Sequence, residues 1–240
     1  MFVNNLDPVA FEFLSFQIRW YSLAYIFGFL IGWFYIKNFL IKDLREKTLV
    51  DDFITYLILG VIIGGRLGYV IFYNFFYYLS HPFEIFFIWQ GGMSFHGGLL
   101  GVCLATYIFT QKYNLNFFRY TDLVSLTAPI GIFLGRVANF INSELYGRET
   151  DFIFSVNFNK VDNLFRHPSQ LYESFFEGIV LFIILNFLWK KFSEIPGVIS
   201  SLFLIFYSLF RFIIEFTREP DAHLGILSLI HISEPTRQDS

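Results

Sequence analysis

The sequence has little charge and almost no cysteine for its length. Only 15% of its 240 residues are Asp, Glu, Lys or Arg, whereas a soluble domain carries about 25%. The single cysteine, Cys103, excludes an internal disulfide and a metal cluster built from cysteines. The first eighteen residues contain no Lys or Arg, so we expect no cleavable signal peptide, which would need a basic start.

Common catalytic motifs are also missing. The sequence contains neither the H-E-x-x-H pattern of a zinc enzyme nor the G-x-S-x-G pattern of a serine nucleophile. We therefore expect no metal site and no cofactor, and we expect no nucleic-acid partner.

Apolar residues are abundant instead. The chain is 55% hydrophobic and 22% aromatic, with 35 phenylalanines, which exceeds what a soluble core normally uses. We predict an all-α polytopic membrane protein with one continuous bundle and no separate soluble domain. Six segments are long and apolar enough to cross about 30 Å of hydrocarbon: residues 18–36, 53–73, 92–110, 123–141, 175–189 and 197–216.

Basic residues fall on alternate loops, and this pattern predicts the orientation. The loops after the first, third and fifth spans should be cytoplasmic, so the N-terminus should be extracytoplasmic. The polar and aromatic segment 151–166, between spans four and five, predicts a small extracytoplasmic hairpin or irregular cap. The basic residues of the cytoplasmic loops are Lys37, Lys42, Arg45, Lys47, Lys112, Arg119, Lys190 and Lys191.

The last residues do not continue the membrane pattern. Residues 227–237 resemble the translation of a transposase mosaic-end adapter used in sequencing libraries. We expect residues 1–226 to form the integral-membrane domain and residues 227–240 to be a non-native tail, in which case a further span is missing. The alternative is a natural polar tail.

An arginine lies inside the fourth span, within the sequence Gly-Arg-Val-Ala-Asn-Phe-Ile-Asn-Ser-Glu-Leu-Tyr-Gly-Arg at residues 135–148. A charged residue at the centre of a membrane helix costs about 2.5–3.5 kcal/mol on insertion scales. Asn139 lies on the same helix face as Arg136, and Glu144 follows where the helix should end. The cluster predicts binding of an anion inside the bilayer; the alternative is an ion pair that holds two helices together.

Glycines surround the other candidate residues of the second and third spans. His96 lies in Gly-Gly-Met-Ser-Phe-His-Gly-Gly at residues 91–98, where a lipid headgroup could reach it. The alternative is a glycine-rich surface for helix packing. Arg66 lies beside Gly64 and Gly65, and a structural pairing is as plausible for it as ligand contact.

A polar motif, His-Pro-Ser-Gln-Leu-Tyr-Glu at residues 167–173, precedes the fifth span. Pro168 and Ser169 suit the start of a helix, and Glu173 suits an acid in its first turn. Helix capping does not explain His167 or Gln170.

Spacings of four, four and three place Tyr207, Arg211, Glu215 and Arg218 on one face of the sixth helix. Because Arg211 lies within the apolar run, this face must point to the bundle interior or to a polar cavity. Tyr25 of the first span can add a hydroxyl group. Two arginines can hold a phosphate through paired hydrogen bonds, so we expect an anionic phospholipid as ligand.

The motifs at 91–98, 135–148 and 167–173, with Arg-Phe-Ile-Ile-Glu-Phe-Thr-Arg-Glu-Pro-Asp at 211–221, resemble those of the bacterial prolipoprotein diacylglyceryl transferase family. The resemblance covers residues 19–225 approximately. It implies a seven-span inner-membrane enzyme with its active site toward the outer half of the bilayer. Such an enzyme transfers diacylglycerol from phosphatidylglycerol to the lipobox cysteine of a prolipoprotein signal peptide. A thioether forms, glycerol 1-phosphate leaves, and lipoprotein maturation begins.

The resemblance implies that Arg136 and Arg211 are central and that Tyr25, His96, Asn139, Glu144, Gly147 and Tyr207 contribute. The following mechanism is our hypothesis. Arg136 and Arg211 would clamp the phosphate, and His96 would assist deprotonation of the thiol. Glu144 would position an arginine or the headgroup. Glu215 and Arg218 would orient the sixth helix, with His167 and Arg66 in support. The residues expected to bind phosphatidylglycerol are Arg136, Asn139, Tyr25, Gly147, Tyr207 and Arg211.

Two other classes of protein are compatible with this composition. A transporter or flippase for an anionic lipid would also place arginines in a bundle, but it predicts inverted repeats and broken helices, which the sequence does not show. A structural membrane subunit would not need two histidine motifs and two groups of arginines at one membrane depth.

Overall fold

A computed structural model describes residues 2–13 and 16–219 of the chain, and the predicted tail lies outside these residues. The described chain is mostly helical, which confirms the all-α polytopic fold. Short β-strands and 3-10 or π-helical turns connect the helices. The α-helices are α1 (Trp20–Tyr35), α2 (Leu44–Phe72), α3 (Phe75–Ser80), α4 (Phe95–Tyr113), α5 (Phe117–Asn142), α6 (Ser169–Glu173), α7 (Leu181–Phe192) and α8 (Val198–Glu215).

Five helical stretches of the described residues are long and apolar enough to cross a membrane: Trp20–Leu40, Leu44–Phe72, Phe117–Asn142, Ser169–Phe192 and Val198–Glu215. They match five of the six predicted spans. The third predicted span is α4, whose His96, Gln111 and Lys112 lower its mean hydropathy. The first span begins at Trp20 rather than at residue 18, because Phe16–Arg19 forms a strand.

Many apolar side chains on these helices are exposed. On α8, Leu204 and Ile205 expose 62% and 61% of their surface. Apolar area on this scale is unusual for a soluble monomer, and it suits helices whose outer faces contact lipid.

Two compact units make up the chain. The first comprises Met1–Leu40 and Asp122–Leu229. In its helical part, Asp122 of α5 is buried and caps the start of α8, accepting 2.7 Å hydrogen bonds from the amides of Gly197 and Ser200. Carboxylates at helix N-termini satisfy free amides and favour the helix dipole. This contact fixes α8, which carries Arg211, against α5, which carries Arg136.

A small sheet completes the first unit. Its strands are β1 (Phe2–Asn4), β4 (Val156–Phe158) and β5 (Phe165–Arg166), in the order β1-β4-β5; separately, β2 (Val9–Phe13) pairs antiparallel with β3 (Phe16–Arg19). The antiparallel pair β4–β5 confirms the hairpin predicted between spans four and five. Pairing of β1 parallel to β4 was not predicted, because three residues far away in sequence carry no signal for it. Phe140, Val156 and Phe158 form the core beneath this sheet.

The second unit contains Ile41–Thr121, and glycines form the contact between its α2 and α4. A Cβ atom at Gly60 would lie 2.6 Å from the carbonyl oxygen of Gly101, and one at Gly68 would lie 2.7 Å from Cα of Gly97. Gly60, Gly64 and Gly68 of α2 and Gly97 and Gly101 of α4 recur at a spacing of four residues, which places them on one face of each helix. Small residues at this spacing let membrane helices approach closely, so Gly97 has the packing function that was the alternative for its motif.

Candidate functional site

Arg136 lies in the last two turns of α5, with 14% of its side chain exposed. Its Nε atom lies 3.0 Å from Glu173 Oε2, and its Nη2 lies 3.6 Å from Glu177 Oε2. No ion-pair partner contacts its Nη1 atom among the described residues of the first unit. One edge of the guanidinium therefore faces two carboxylates.

Glu173 is fully buried at the end of α6, where the helix continues as a π-helical segment, Ser174–Val180. Its Oε1 atom accepts a 2.9 Å hydrogen bond from Arg211 Nη1 and lies 3.7 Å from Arg218 Nη1. Together with Arg136, three arginines surround this one carboxylate. Segments of π-helix occur often at functional sites.

Arg211 forms a second ion pair, in which its Nη2 lies 2.7 Å from Glu215 Oε2. We call these six side chains the arginine–glutamate network: Arg136, Arg211, Arg218, Glu173, Glu177 and Glu215. The prediction that Arg218 shares a helix face with Arg211 and Glu215 is wrong, because α8 ends at Glu215 and Arg218 lies in the turn beyond it. Its side chain still points to Glu173.

The carboxylates at positions 173 and 177 were not predicted as site residues. The predicted helix start is confirmed, since α6 begins at Ser169 after Pro168, but neither side chain caps it. The Ser169 hydroxyl donates to the carbonyl of Leu145 at 2.8 Å, and Glu173 pairs with arginines. The signal was available, since two glutamates four residues apart at a membrane span share one helix face. Charged residues there are usually paired or functional.

Glu144 lies just beyond α5 and is held by amide side chains. Asn139 Nδ2 donates to its Oε2 at 3.1 Å, and Asn142 Nδ2 donates to its Oε1 at 3.4 Å. Gln170 Nε2 donates to its backbone carbonyl at 2.5 Å, which gives this glutamine the explanation that capping did not. The predicted proximity of Asn139 and Glu144 is confirmed.

Gly147 is enclosed by backbone. Its amide donates to the carbonyl of His167 at 2.9 Å, and the amide of Arg148 donates to that of Thr217 at 2.9 Å. A Cβ atom at Gly147 would lie 2.5 Å from both carbonyl oxygens. The two sides of the peptide are thus occupied, and only glycine fits without displacement.

His167 lies beside this segment, and its Nδ1 is 3.3 Å from the hydroxyl of Tyr172. Burial lowers the pKa of its imidazole below the usual value of 6.5, so the ring stays neutral at neutral pH. In the hairpin, Arg166 Nη2 donates to Asp162 Oδ2 at 2.6 Å and holds the pKa of that carboxyl below its usual value.

Two tyrosines of the predicted site also belong to the first unit. The hydroxyl of Tyr25 lies 3.3 Å from that of Tyr21, one helical turn away on α1. Tyr207 lies one turn before Arg211 on α8, with its ring stacked on Phe203 at 5.7 Å between centroids.

The remaining predicted site residues, His96 and Arg66, belong to the second unit. His96 is exposed in the first turn of α4, with its ring edge-to-face with Phe95. Arg66 is buried, and its guanidinium donates five hydrogen bonds to backbone carbonyls of the loop after α3. A guanidinium has five N–H donors, so these contacts assign Arg66 to holding the loop rather than to a ligand. The acceptors are the carbonyls of Glu84, Ile85, Phe87, Gly91 and Gly92.

These observations define a multi-pass helical membrane protein with a buried, charge-paired arginine site. The chain belongs to the prolipoprotein diacylglyceryl transferase family, whose model matches residues 8–235.

Individual relatives are similar over nearly their whole length, and each is named phosphatidylglycerol–prolipoprotein diacylglyceryl transferase. The relative from Rickettsia typhi is 49% identical over 231 residues, covering 95% of this chain and 89% of its own. The relative from Rickettsia canadensis is 50% identical over 232 residues, covering 95% and 89%. The relative from Rickettsia bellii is 50% identical over 228 residues, covering 93% and 86%.

Proposed function

We propose that this chain transfers the diacylglyceryl group from phosphatidylglycerol to the cysteine thiol of a prolipoprotein lipobox. The family and the shared name of the relatives support this activity and favour it over transport of an anionic lipid. The observation that carries the proposal is the buried arginine site, in which Arg136 keeps one guanidinium edge available for an anionic headgroup.

Because the substrate thiol supplies the attacking sulfur, the enzyme needs no nucleophile of its own. It needs groups that stabilise the negative charge of the leaving group. The sulfur forms a bond to the carbon of the diacylglyceryl group that carries the phosphate. The bond between that carbon and the phosphate oxygen breaks, and glycerol 1-phosphate leaves with the electron pair of that bond. Arg136 and Arg211 stabilise the charge that grows on this leaving group. Preoriented donors in a water-poor site are the most effective form of such stabilisation.

Residues around Arg136 and Arg211 bind the rest of the headgroup. Asn139, Glu144 and Tyr25 offer an amide, a carboxylate and a hydroxyl for the glycerol hydroxyls. Gly147 lies three residues after Glu144, and Tyr207 lies one turn before Arg211 on α8; these two residues complete the proposed binding site.

Removal of the thiol proton requires a base. His96 is the candidate, since a neutral imidazole can accept a proton near neutral pH and the thiolate is the reactive form of cysteine. If His96→Gln keeps most of the transfer rate at neutral pH, His96 is not the base.

The protein is a multi-pass protein of the bacterial inner membrane in this proposal. The basic residues of alternate loops support an extracytoplasmic N-terminus. With that orientation the C-terminal end of α5, and Arg136 with it, lies toward the outer half of the bilayer, where prolipoproteins expose their lipobox.

The decisive experiment measures the mass of a synthetic lipobox peptide after incubation with phosphatidylglycerol and membranes containing this chain but no host transferase. We expect the mass to rise by one diacylglyceryl group and glycerol 1-phosphate to be released, whereas a transporter would leave both molecules unchanged. Arg136→Ala should abolish transfer, with Arg45→Ala, an exposed arginine, as the matched control. A rate loss for Arg136→Ala below about tenfold, roughly 1.4 kcal/mol, would remove Arg136 from the phosphate clamp.

A further inference from the structure

Glu173 connects arginines from three separate parts of the first unit. Its Oε2 contacts Arg136 of α5, while its Oε1 contacts Arg211 of α8 and approaches Arg218 of the turn after α8. The side chain is completely buried. Burying a carboxylate is costly unless cations and hydrogen bonds compensate for lost water, and here every close cation is an arginine of the candidate site.

The contacts use a different oxygen for each of the two central arginines. The Nε edge of Arg136 lies 3.0 Å from one oxygen, and Nη1 of Arg211 lies 2.9 Å from the other. A guanidinium is planar and rigid, so fixing one edge also fixes the direction of its remaining donors. Glu173 thereby sets the separation and the orientation of Arg136 and Arg211 before any ligand is present.

We propose that Glu173 is the positioning residue of the arginine pair. It holds Arg136 and Arg211 in the geometry that meets the phosphate, and it offsets part of their charge so that the anionic product can leave. This inference rests on the proposed transferase function. It assigns Glu173 no contact with substrate, because the side chain is fully buried, with Oε1 accepting a hydrogen bond from Arg211 and Oε2 lying 3.0 Å from Nε of Arg136.

Charge within the network gives this role a distinctive signature. Three arginines and three glutamates are in ion contact, so their formal charges sum to zero. Replacing Glu173 by Gln leaves one excess positive charge, which should strengthen binding of a phosphate anion. The same change releases the orientation of Arg136 and Arg211, which should slow the reaction. Glu173→Gln should therefore raise the affinity for a phosphate anion and lower the rate of transfer.

Glu46 provides a control outside the network. It is an ion-paired glutamate of the second unit, 3.3 Å from Arg119, with 26% of its side chain exposed. Glu46→Gln removes the same charge and leaves the contacts of Arg136 and Arg211 in place. Glu173→Asp is the complementary change, since it keeps the charge but is one methylene too short to contact both arginines.

The experiment measures kcat and KM for phosphatidylglycerol with a lipobox peptide, and the Kd of glycerol 1-phosphate by calorimetry, on purified full-length chain in nanodiscs. For Glu173→Gln we expect kcat to fall on the order of 100-fold, the effect of a displacement of about 1 Å, while Kd tightens at least about threefold through the excess charge. Glu173→Asp should show a similar loss of kcat with a Kd within about twofold of the unsubstituted chain, because its charge is unchanged. Glu46→Gln should leave both kcat and Kd within about twofold of the unsubstituted chain, because its partner is Arg119 and exposed ion pairs contribute little.

Partial unfolding would lower the number of binding sites per chain and leave Kd unchanged, so the calorimetric stoichiometry separates it from positioning. The proposal is overturned if Glu173→Gln leaves Kd unchanged, or if its kcat falls no further than that of Glu46→Gln. If the unsubstituted chain transfers nothing, the proposed function fails as well. If it transfers normally and the two Gln variants behave alike, only the positioning role is lost.

Discussion

The amide of Gly147 donates a 2.9 Å hydrogen bond to the carbonyl of His167. This bond joins the segment after α5 to the segment before α6, so the loop that carries Glu144 is fixed from its C-terminal end. At its other end, Ser143 and Leu145 adopt positive φ angles of 60° and 54°, which non-glycine residues rarely do. Contacts with neighbouring segments therefore hold the loop in a backbone conformation that its own residues rarely adopt.

We predict that Gly147→Ala destabilises the protein and slows transfer. Its methyl group would lie 2.5 Å from the carbonyl oxygens of His167 and Thr217, so backbone must move, at a cost of about 1–3 kcal/mol. The displaced loop carries Glu144, and activity should fall on the order of tenfold or more. Thermal unfolding in detergent and the peptide-mass assay measure both effects.

Gly131→Ala is the control for this variant. A Cβ atom at Gly131 has no neighbour within 4 Å, and alanine favours a helix by about 1 kcal/mol over glycine. We expect unchanged or slightly higher stability. Equal behaviour of the two alanine variants would contradict the steric explanation.

Arg66→Lys should destabilise the loop between α3 and α4. Lysine has three donors on one atom and cannot reproduce the five hydrogen bonds of Arg66. Loss of buried charged hydrogen bonds should cost about 2–4 kcal/mol, measured by unfolding in mixed micelles of increasing SDS content. Arg45→Lys, at an exposed position, should change stability by less than about 0.5 kcal/mol; a similar small change for Arg66→Lys would refute a structural role.

Gly60→Ala should separate α2 from α4. Its methyl group would lie 2.6 Å from the carbonyl oxygen of Gly101 and 2.8 Å from Cβ of Ala105, so we expect a loss of about 1–3 kcal/mol. Gly98→Ala is the control, because its nearest neighbour, the carbonyl oxygen of Val61, lies at 3.9 Å. The unfolding temperature, followed by intrinsic fluorescence, should fall only for Gly60→Ala.

The hairpin of β4 and β5 should weaken in acid. Hydrogen bonding to Arg166 lowers the pKa of Asp162 in the folded state, so the carboxylate contributes its full stability above its unfolded pKa of about 3.9. That contribution is lost as the pH falls through the lower folded pKa. Cleavage by pepsin between pH 2 and 5, normalised to a free peptide of residues 150–166, should accelerate as pH decreases. Asp162→Asn should remove this dependence, and an identical pH profile for both proteins would contradict the ion-pair explanation.

Much of the fold could be predicted from sequence because a membrane imposes a simple rule. Each span must be a long apolar helix, and the segments predicted at 53–73, 123–141 and 197–216 lie in α2, α5 and α8 apart from single residues at their ends. The exceptions arise where local patterns are ambiguous. Polar residues and glycines make α4 less hydrophobic than a typical span, and a strand occupies residues 16–19 next to α1.

The site was predicted in part for a related reason. Arg136 and Arg211 stand out because charge inside an apolar segment is rare, and Asn139 is close enough in sequence to share a helix face with Arg136, with Glu144 just beyond the end of that helix. Their partner Glu173 lies 38 residues before Arg211. In the sequence, Glu173 follows a predicted helix start, so it resembles an ordinary acidic residue of a first helical turn.

The sequence by itself determined the membrane class, the helices and the presence of buried arginines, because hydrophobic length and isolated charge are local properties. Only the tertiary structure decided which carboxylate meets which arginine, that Arg66 binds a loop, and why position 147 must be glycine. Each of these depends on atoms brought together by packing of segments far apart in the chain, and no local pattern encodes those distances.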